Sequence, residues 1–317
     1  MLGKLARVLD RAFFRPESLH PDAVTGLAIA GPVIAGLILF RQPAFEFLGM
    51  AVAIGGLVHL GARFLRVRLE TSPMLVALVG VALCGPLSPP IWPALIALTA
   101  AALEVARSHY WPRARIHTGV VAYAAMYLAA GGAMAAYQRP GSPRIFPEPI
   151  AQWSQFYGGA THFIEPITLY VGNVAGPVFA TSLLAVVIGM AWLWYARRLS
   201  LLSATSFLTA GVVMAAALGY DPVFQLDSGP AWFVIGFALC DRRLLPEQPL
   251  ARPVMAAAAG IIGVGLRATH FYVEALFLAV AAIEVTYLML ELVAFAAWRL
   301  FRLNRRRPLA GTESVSA

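Results

Sequence analysis

Apolar residues run along most of this chain in blocks bounded by Arg, Pro or Gly. Ten blocks are helical candidates: about 23–40, 45–62, 73–84, 93–106, 117–136, 177–196, 203–219, 229–240, 253–269 and 273–297. Most are long enough to cross a bilayer, whose core takes roughly 20 apolar residues as a helix. Two, 73–84 and 229–240, are too short. At about 1.5 Å per residue they reach little more than half way across a core of about 30 Å. Each runs into a proline-rich stretch, GPLSPPIWP and DRRLLPEQP. Irregular backbone at such a depth is tolerated only where protein or a cavity surrounds it.

The chain also repeats. MLVALVGVALCGPLSPPIWP (74–93) resembles AWFVIGFALCDRRLLPEQP (231–249). Ala82-Leu83-Cys84 falls on Ala238-Leu239-Cys240 and Pro93 on Pro249, at one offset of 156 positions. The same offset lays 23–40 on 177–196 and 117–136 on 273–297. Five spans per half is an odd number, so the second half enters the membrane from the opposite side, as an inverted repeat. The expected fold is an all-α polytopic membrane protein. It has about ten transmembrane segments in two inverted five-helix repeats, each with a short half-helix. The expected divisions are an amphipathic segment 1–20, a first repeat 21–137, a linker 138–176, a second repeat 177–298 and a basic tail 299–317. In the first segment Leu2, Leu5, Leu9 and Phe13 lie opposite Lys4, Arg7 and Arg11, which suits a helix on a membrane surface or a solvated leader.

Composition agrees. Of 317 residues, 60% are apolar and 13% charged, and the mean hydropathy is +0.73. A soluble domain carries about 25% charged residues, so a soluble enzyme, a nucleic-acid-binding domain and a disordered chain are excluded. The net charge of +8 encodes orientation. With the N-terminus in the cytoplasm, ten crossings leave only Arg41, Arg139, Arg144 and Arg267 outside among 24 Lys and Arg. Both termini are then cytoplasmic and 138–176 is periplasmic. Two cysteines exclude a disulfide framework. Cys84 and Cys240 end the two half-helices, where a small buried thiol is ordinary packing. No histidine pair among His59, His109, His117, His162 and His270 shows a haem-ligating spacing. Glu104 and Glu284, inside spans, are candidates for a cation or proton site or for pairing with arginine.

Several segments carry a resemblance. GNVAGPVFATSLLAVVIGMAWLWYARRLS (172–200), FALCDRRLLPEQPLAR (237–252) and RATHFYVEALFLAV (267–280) resemble stretches of the membrane subunits of ion-pumping electron-transfer complexes. These are the RnfD component of Rnf and the NqrB component of the sodium-pumping NADH:quinone oxidoreductase. Asp241, Pro246, Pro249 and Arg252 in the second segment, and Arg267, Tyr272 and Glu274 in the third, stand at the family's spacings. The resemblance covers about 20–295 and implies an integral subunit of a redox assembly in a bacterial inner membrane. Its partners would be other membrane subunits and the bilayer, not nucleic acid. The family carries FMN on a threonine in an Asp-Gly-x-Ser/Thr-Gly-Ala-Thr motif. QFYGGATH is similar to it, with Gly159, Ala160 and Thr161 matching and Thr161 as the implied attachment point beside His162. Gln155 and Gly158 stand in place of the Asp and the Ser/Thr, a departure that bears on the covalent bond. The cofactor-binding set implied for FMN or riboflavin is Thr161, Gly159, Ala160, His162, Arg267, Glu274 and Asp241. No stand-alone catalytic motif and no metal site are read. The alternatives are a flavin-free scaffold docking another membrane complex, and an ion or small-solute transporter.

Overall fold

The computed structural model describes residues 16–157, 163–227 and 230–305. The amphipathic segment, apart from Pro16 to His20, lies outside these residues, and so does the end of the tail beyond 305. The described chain is mostly helical, with isolated β-bridges and no strands among the described residues.

The first half contains α1 (Pro21–Phe40), α2 (Gln42–Phe64), α3 (Pro73–Val81), α4 (Ile91–Tyr110) and α5 (Thr118–Ala130). The linker carries two short helices, α6 (Pro149–Gln155) and α7 (Pro166–Val171). The second half contains α8 (Leu183–Tyr195), α9 (Leu201–Ala217), α10 (Pro222–Asp227), α11 (Ala231–Val234), α12 (Ala251–Gly265) and α13 (Glu274–Arg305). A π-helical turn, Ile235–Leu239, continues α11, and another, Arg267–Phe271, joins α12 to α13.

Four helices, α1, α2, α4 and α13, are long and apolar enough to cross a membrane, and α5, α8, α9 and α12 are shorter apolar helices. Local chemistry sets the starts. Pro21 and Pro73 occupy first-turn positions, where a missing N–H costs nothing. Ser182 and Ser200 cap α8 and α9 by accepting the N–H groups of Ala185 and Ser203.

The two expected half-helices are short and interrupted. α3 spans nine residues and gives way to turns ending at Cys84. α11 spans four and widens into its π turn before Cys240. One expected span starts late. Residues 177–182 are not helical, because their backbone is engaged elsewhere. Val178 N–H donates to the Cys84 carbonyl at 2.9 Å and Phe179 N–H to that of Ala82 at 3.2 Å. The start of the second half thus supplies donors to carbonyls that the truncated α3 leaves without a helical partner. At the other end, α13 continues through Arg305, into the segment read as tail. Its 32 residues make a rod of about 48 Å, longer than the bilayer core.

The halves meet through two helix pairs. The Trp192 ring N–H donates to the Val24 carbonyl at 3.1 Å. A side chain on Gly189 would strike the Ala28 carbonyl, and one on Gly36 would strike that of Val178. These contacts run in opposite directions along the chain, so α1 and α8 are antiparallel. Likewise Tyr123 packs edge-on against Phe277 at 5.4 Å, and His117 N–H donates to Glu284 at 2.8 Å, so α5 and α13 are antiparallel. The bundle therefore has two ends. The linker closes one, and the start of α1 with the Arg198 and Asp241 loops forms the other.

Candidate functional site

Two polar clusters occupy these ends. At the end away from the linker, the Asp241 carboxylate follows the π turn of α11 and is 6% exposed. The Arg243 guanidinium binds it through Nε at 3.0 Å and Nη2 at 2.7 Å. Arg243 also donates to Asp22 and to the Thr25 hydroxyl, both on α1, at 3.1 Å each. The Arg115 guanidinium donates to the Arg243 carbonyl at 2.6 Å. These bonds hold the Asp241 carboxyl below its ordinary range, against the burial that opposes its charge. Arg243 ties Asp241 to Asp22 and Thr25 on α1, so the cluster is a clasp between the halves, with the buried Nε and Nη2 of Arg198 beside it unpartnered among the described residues. Arg242, next to Asp241 in sequence, is exposed, and Arg243, which the sequence did not single out, makes the contact.

A second closed network lies on α4. Arg107 grips Glu104 with two bonds, at 3.0 and 2.7 Å, and reaches Glu70 at 2.9 Å and the Ala114 carbonyl at 3.1 Å. The Ser108 and Thr118 hydroxyls donate to the same Glu104 carboxylate. Of the readings open for Glu104, pairing with arginine is the one the geometry takes. Glu284 instead accepts the His117 backbone N–H.

The linker end is built differently. Glu148 caps α6, its oxygens accepting the N–H groups of Ile150 at 2.7 Å and Ala151 at 2.8 Å. Burial pushes its carboxyl up to about 7 against these bonds and the attraction of Arg267. Arg267 sits in the π turn before α13, fully buried, and donates to the backbone carbonyl of Gln225 and to its side-chain oxygen. Burial lowers it to about 10 while Glu148 opposes the shift. Glu274 opens α13, is 2% exposed, and accepts the Tyr137 hydroxyl at 2.6 Å. Gln155, at the motif's Asp position, donates through its amide to the Tyr272 hydroxyl at 2.7 Å, tying α6 to the turn before α13.

The structure therefore gathers Arg267 and Glu274 under the linker and sets Asp241 in the separate clasp. Gly159, Ala160, Thr161 and His162 lie outside the described residues. The residues around them are described. Tyr157 and Phe163 stack face to face, centroids 4.1 Å apart and planes within 7°. They bring the two ends of that segment together beside a cavity of about 460 Å³. Arg139, Gln152, Glu165, Thr168 and Asn173 give it a polar lining. An arginine for a phosphate and a ring wall for an aromatic system suit a flavin's two parts. Sequence reasoning missed Tyr137, Glu148 and Gln225, which become partners only through folding. Among the described residues no group of three or more His, Cys, Asp or Glu is arranged to hold a metal ion, and Cys84 and Cys240 are free and fully buried.

No curated protein matches the chain. A family model described as NQR2, RnfD, RnfE matches residues 23–293, nearly all of the helical bundle. With its membrane-spanning helices and its linker-end site in the same span of sequence, the chain belongs to the NQR2, RnfD, RnfE family.

Proposed function

We propose that this chain is an integral membrane subunit of an Rnf/Nqr-type electron-transfer assembly and that its linker end holds a flavin. The single observation that carries the flavin reading is the polar cavity beside the stacked Tyr157–Phe163 pair, next to the segment that bears Thr161. Arg139 would meet the phosphate, and Tyr157 and Phe163 would border the ring system. A bound flavin supplies reversible one- and two-electron transfer, and the protein supplies its placement and surroundings. Arg267, a buried cation beneath the linker, favours added negative charge above it. The distribution of Lys and Arg supports a linker that faces the periplasm and termini in the cytoplasm.

The inverted-repeat architecture belongs to this reading. Its support is geometric. Shifting residue numbers by 156 turns the contact between Val24 and Trp192 into one between Gly36 and Ala180, and Gly36 packs on Val178 and Phe179. Arg41 and Arg197, one offset apart, both have positive φ, 52° and 55°.

Absorption and intact mass of the full chain purified from membranes test the flavin. The expected result is a flavin spectrum that co-purifies with the chain. An added flavin mass lost in Thr161→Val marks a covalent link, and flavin retained without added mass marks a non-covalent one. A colourless chain, also when purified with its partner subunits, overturns the flavin. One observation favours a second reading, a flavin-free subunit that docks other membrane proteins. Gln155 has exchanged the motif's carboxylate for an amide, and that amide serves as a strap to Tyr272. Co-purification of redox subunits with a colourless chain is the result expected of that reading.

A further inference from the structure

A second cavity at the linker end, of about 400 Å³, is distinct in chemistry from the one beside Tyr157 and Phe163. Its walls include the rings of Tyr127, Tyr137, Phe146, Phe156 and Tyr272, with Glu274 and Glu148 as its charged residues. Among the described residues no lysine, arginine or histidine lines it, in a chain with a net charge of +8. Tyr127, Tyr137 and Glu274 are buried at its floor, and Phe146 and Phe156 are exposed at its rim. The two carboxylates are not equivalent. Both Glu148 oxygens are taken up by the cap of α6, and Arg267 lies behind it. Glu274 accepts the Tyr137 hydroxyl, and among the described residues it has no ion pair.

A buried carboxylate without a counter-charge is costly to ionise, and a cation in the space beside it would stabilise its charged form. The kind of cation follows from the walls. Hard metal ions take six or more oxygens, and this lining offers one free carboxylate and a few phenols. Aromatic faces attract ammonium groups, most strongly where the contact is desolvated. The volume also exceeds what a bare ion fills.

We propose that this cavity binds a small organic ammonium ion, of the size of choline or an alkylamine, with Glu274 as its counter-charge and the five rings as its cage. The inference does not depend on the flavin, because the two cavities share only Phe146 among their lining residues. The ligand would enter past Phe146 and Phe156 from the side the linker faces.

The test uses the full chain in detergent, with thermal unfolding and intrinsic fluorescence followed against added salt. The probes are choline chloride, tetramethylammonium chloride, sodium chloride at equal ionic strength, and 3,3-dimethylbutanol, the uncharged counterpart of choline. The expected result is a saturable rise in Tm with both ammonium salts and none with sodium chloride or the alcohol. Glu274→Gln, which keeps the shape and can still accept the Tyr137 hydroxyl, should weaken binding at least tenfold. Phe146→Leu, at the exposed rim, should weaken it several-fold, and it serves where Glu274→Gln does not fold. A response shared by the alcohol or by sodium chloride overturns the proposal. So does no response to any probe, or affinity unchanged in Phe146→Leu and in folded Glu274→Gln.

Discussion

The two ends of the bundle handle buried charge in opposite ways. At the clasp, Arg243 binds Asp241 through Nε and Nη2 and also donates to Asp22 and Thr25. Both carboxylates there, Asp241 and Asp22, have an arginine partner. At the linker end, Glu274 has a phenol but no counter-cation among the described residues, and Arg267 has amide oxygens but no bonded carboxylate. Closed charge networks position a fold, whereas buried charge left open to a cavity is suited to a ligand. The difference separates two groups of ionisable residues that look alike in sequence. Asp241 serves the joint between the halves, and Glu274 and Arg267 surround the candidate site.

The largest expected effect comes from breaking the clasp. Arg243→Met should destabilise the protein by about 3–5 kcal/mol, because it strands the buried Asp241 carboxylate. Thermal unfolding in detergent would show it, and adding Asp241→Asn should recover part of the loss. A near-neutral single variant would mean that the clasp is not the joint described here. Tyr137→Phe should cost less, roughly 1–3 kcal/mol, by removing the hydroxyl from Glu274. Its second signature should be altered ligand response in the adjoining cavity, which no clasp variant should show.

Glu148 predicts a pH dependence confined to the linker end. Its folded value of about 7 lies above the ordinary 4.5, so the folded state holds more protons than the unfolded state between those values. Its contribution is therefore complete below about pH 4.5 and is lost as pH rises through about 7, by at most about 1.4 kcal/mol per pH unit. Glu148→Gln should flatten that part of the stability profile, as read from Tm across pH 4.5–7.5. An unchanged slope would assign the dependence to another group. The smallest effect belongs to Arg242→Ala. The exposed Arg242 should change stability by no more than about 0.5 kcal/mol, in contrast to its neighbour Arg243.

Much of this architecture is readable from the chain alone. A bilayer requires each crossing segment to satisfy its own backbone, so spans appear as apolar blocks of nearly fixed length. That constraint marks α1, α2, α4 and α13, and the shortfall at α3 and α11 is visible for the same reason. The family is equally legible, because the stretches that resemble it, 172–200, 237–252 and 267–280, all lie within the matched residues 23–293. The start of α8 is not legible, since Val178 and Phe179 are as apolar as the helix that follows. Only the carbonyls of Ala82 and Cys84, nearly a hundred residues away, draw them out of it.

The sequence by itself determined that the chain is helical, membrane-embedded and a member of its family, because hydrophobic length and local motif spacing are one-dimensional properties. The tertiary structure decided which charges are paired. Arg243 rather than Arg242 meets Asp241, and Tyr137 meets Glu274 across more than a hundred residues of chain. Such choices depend on which side chains two packed helices bring within about 3 Å of each other, and no local pattern encodes that distance.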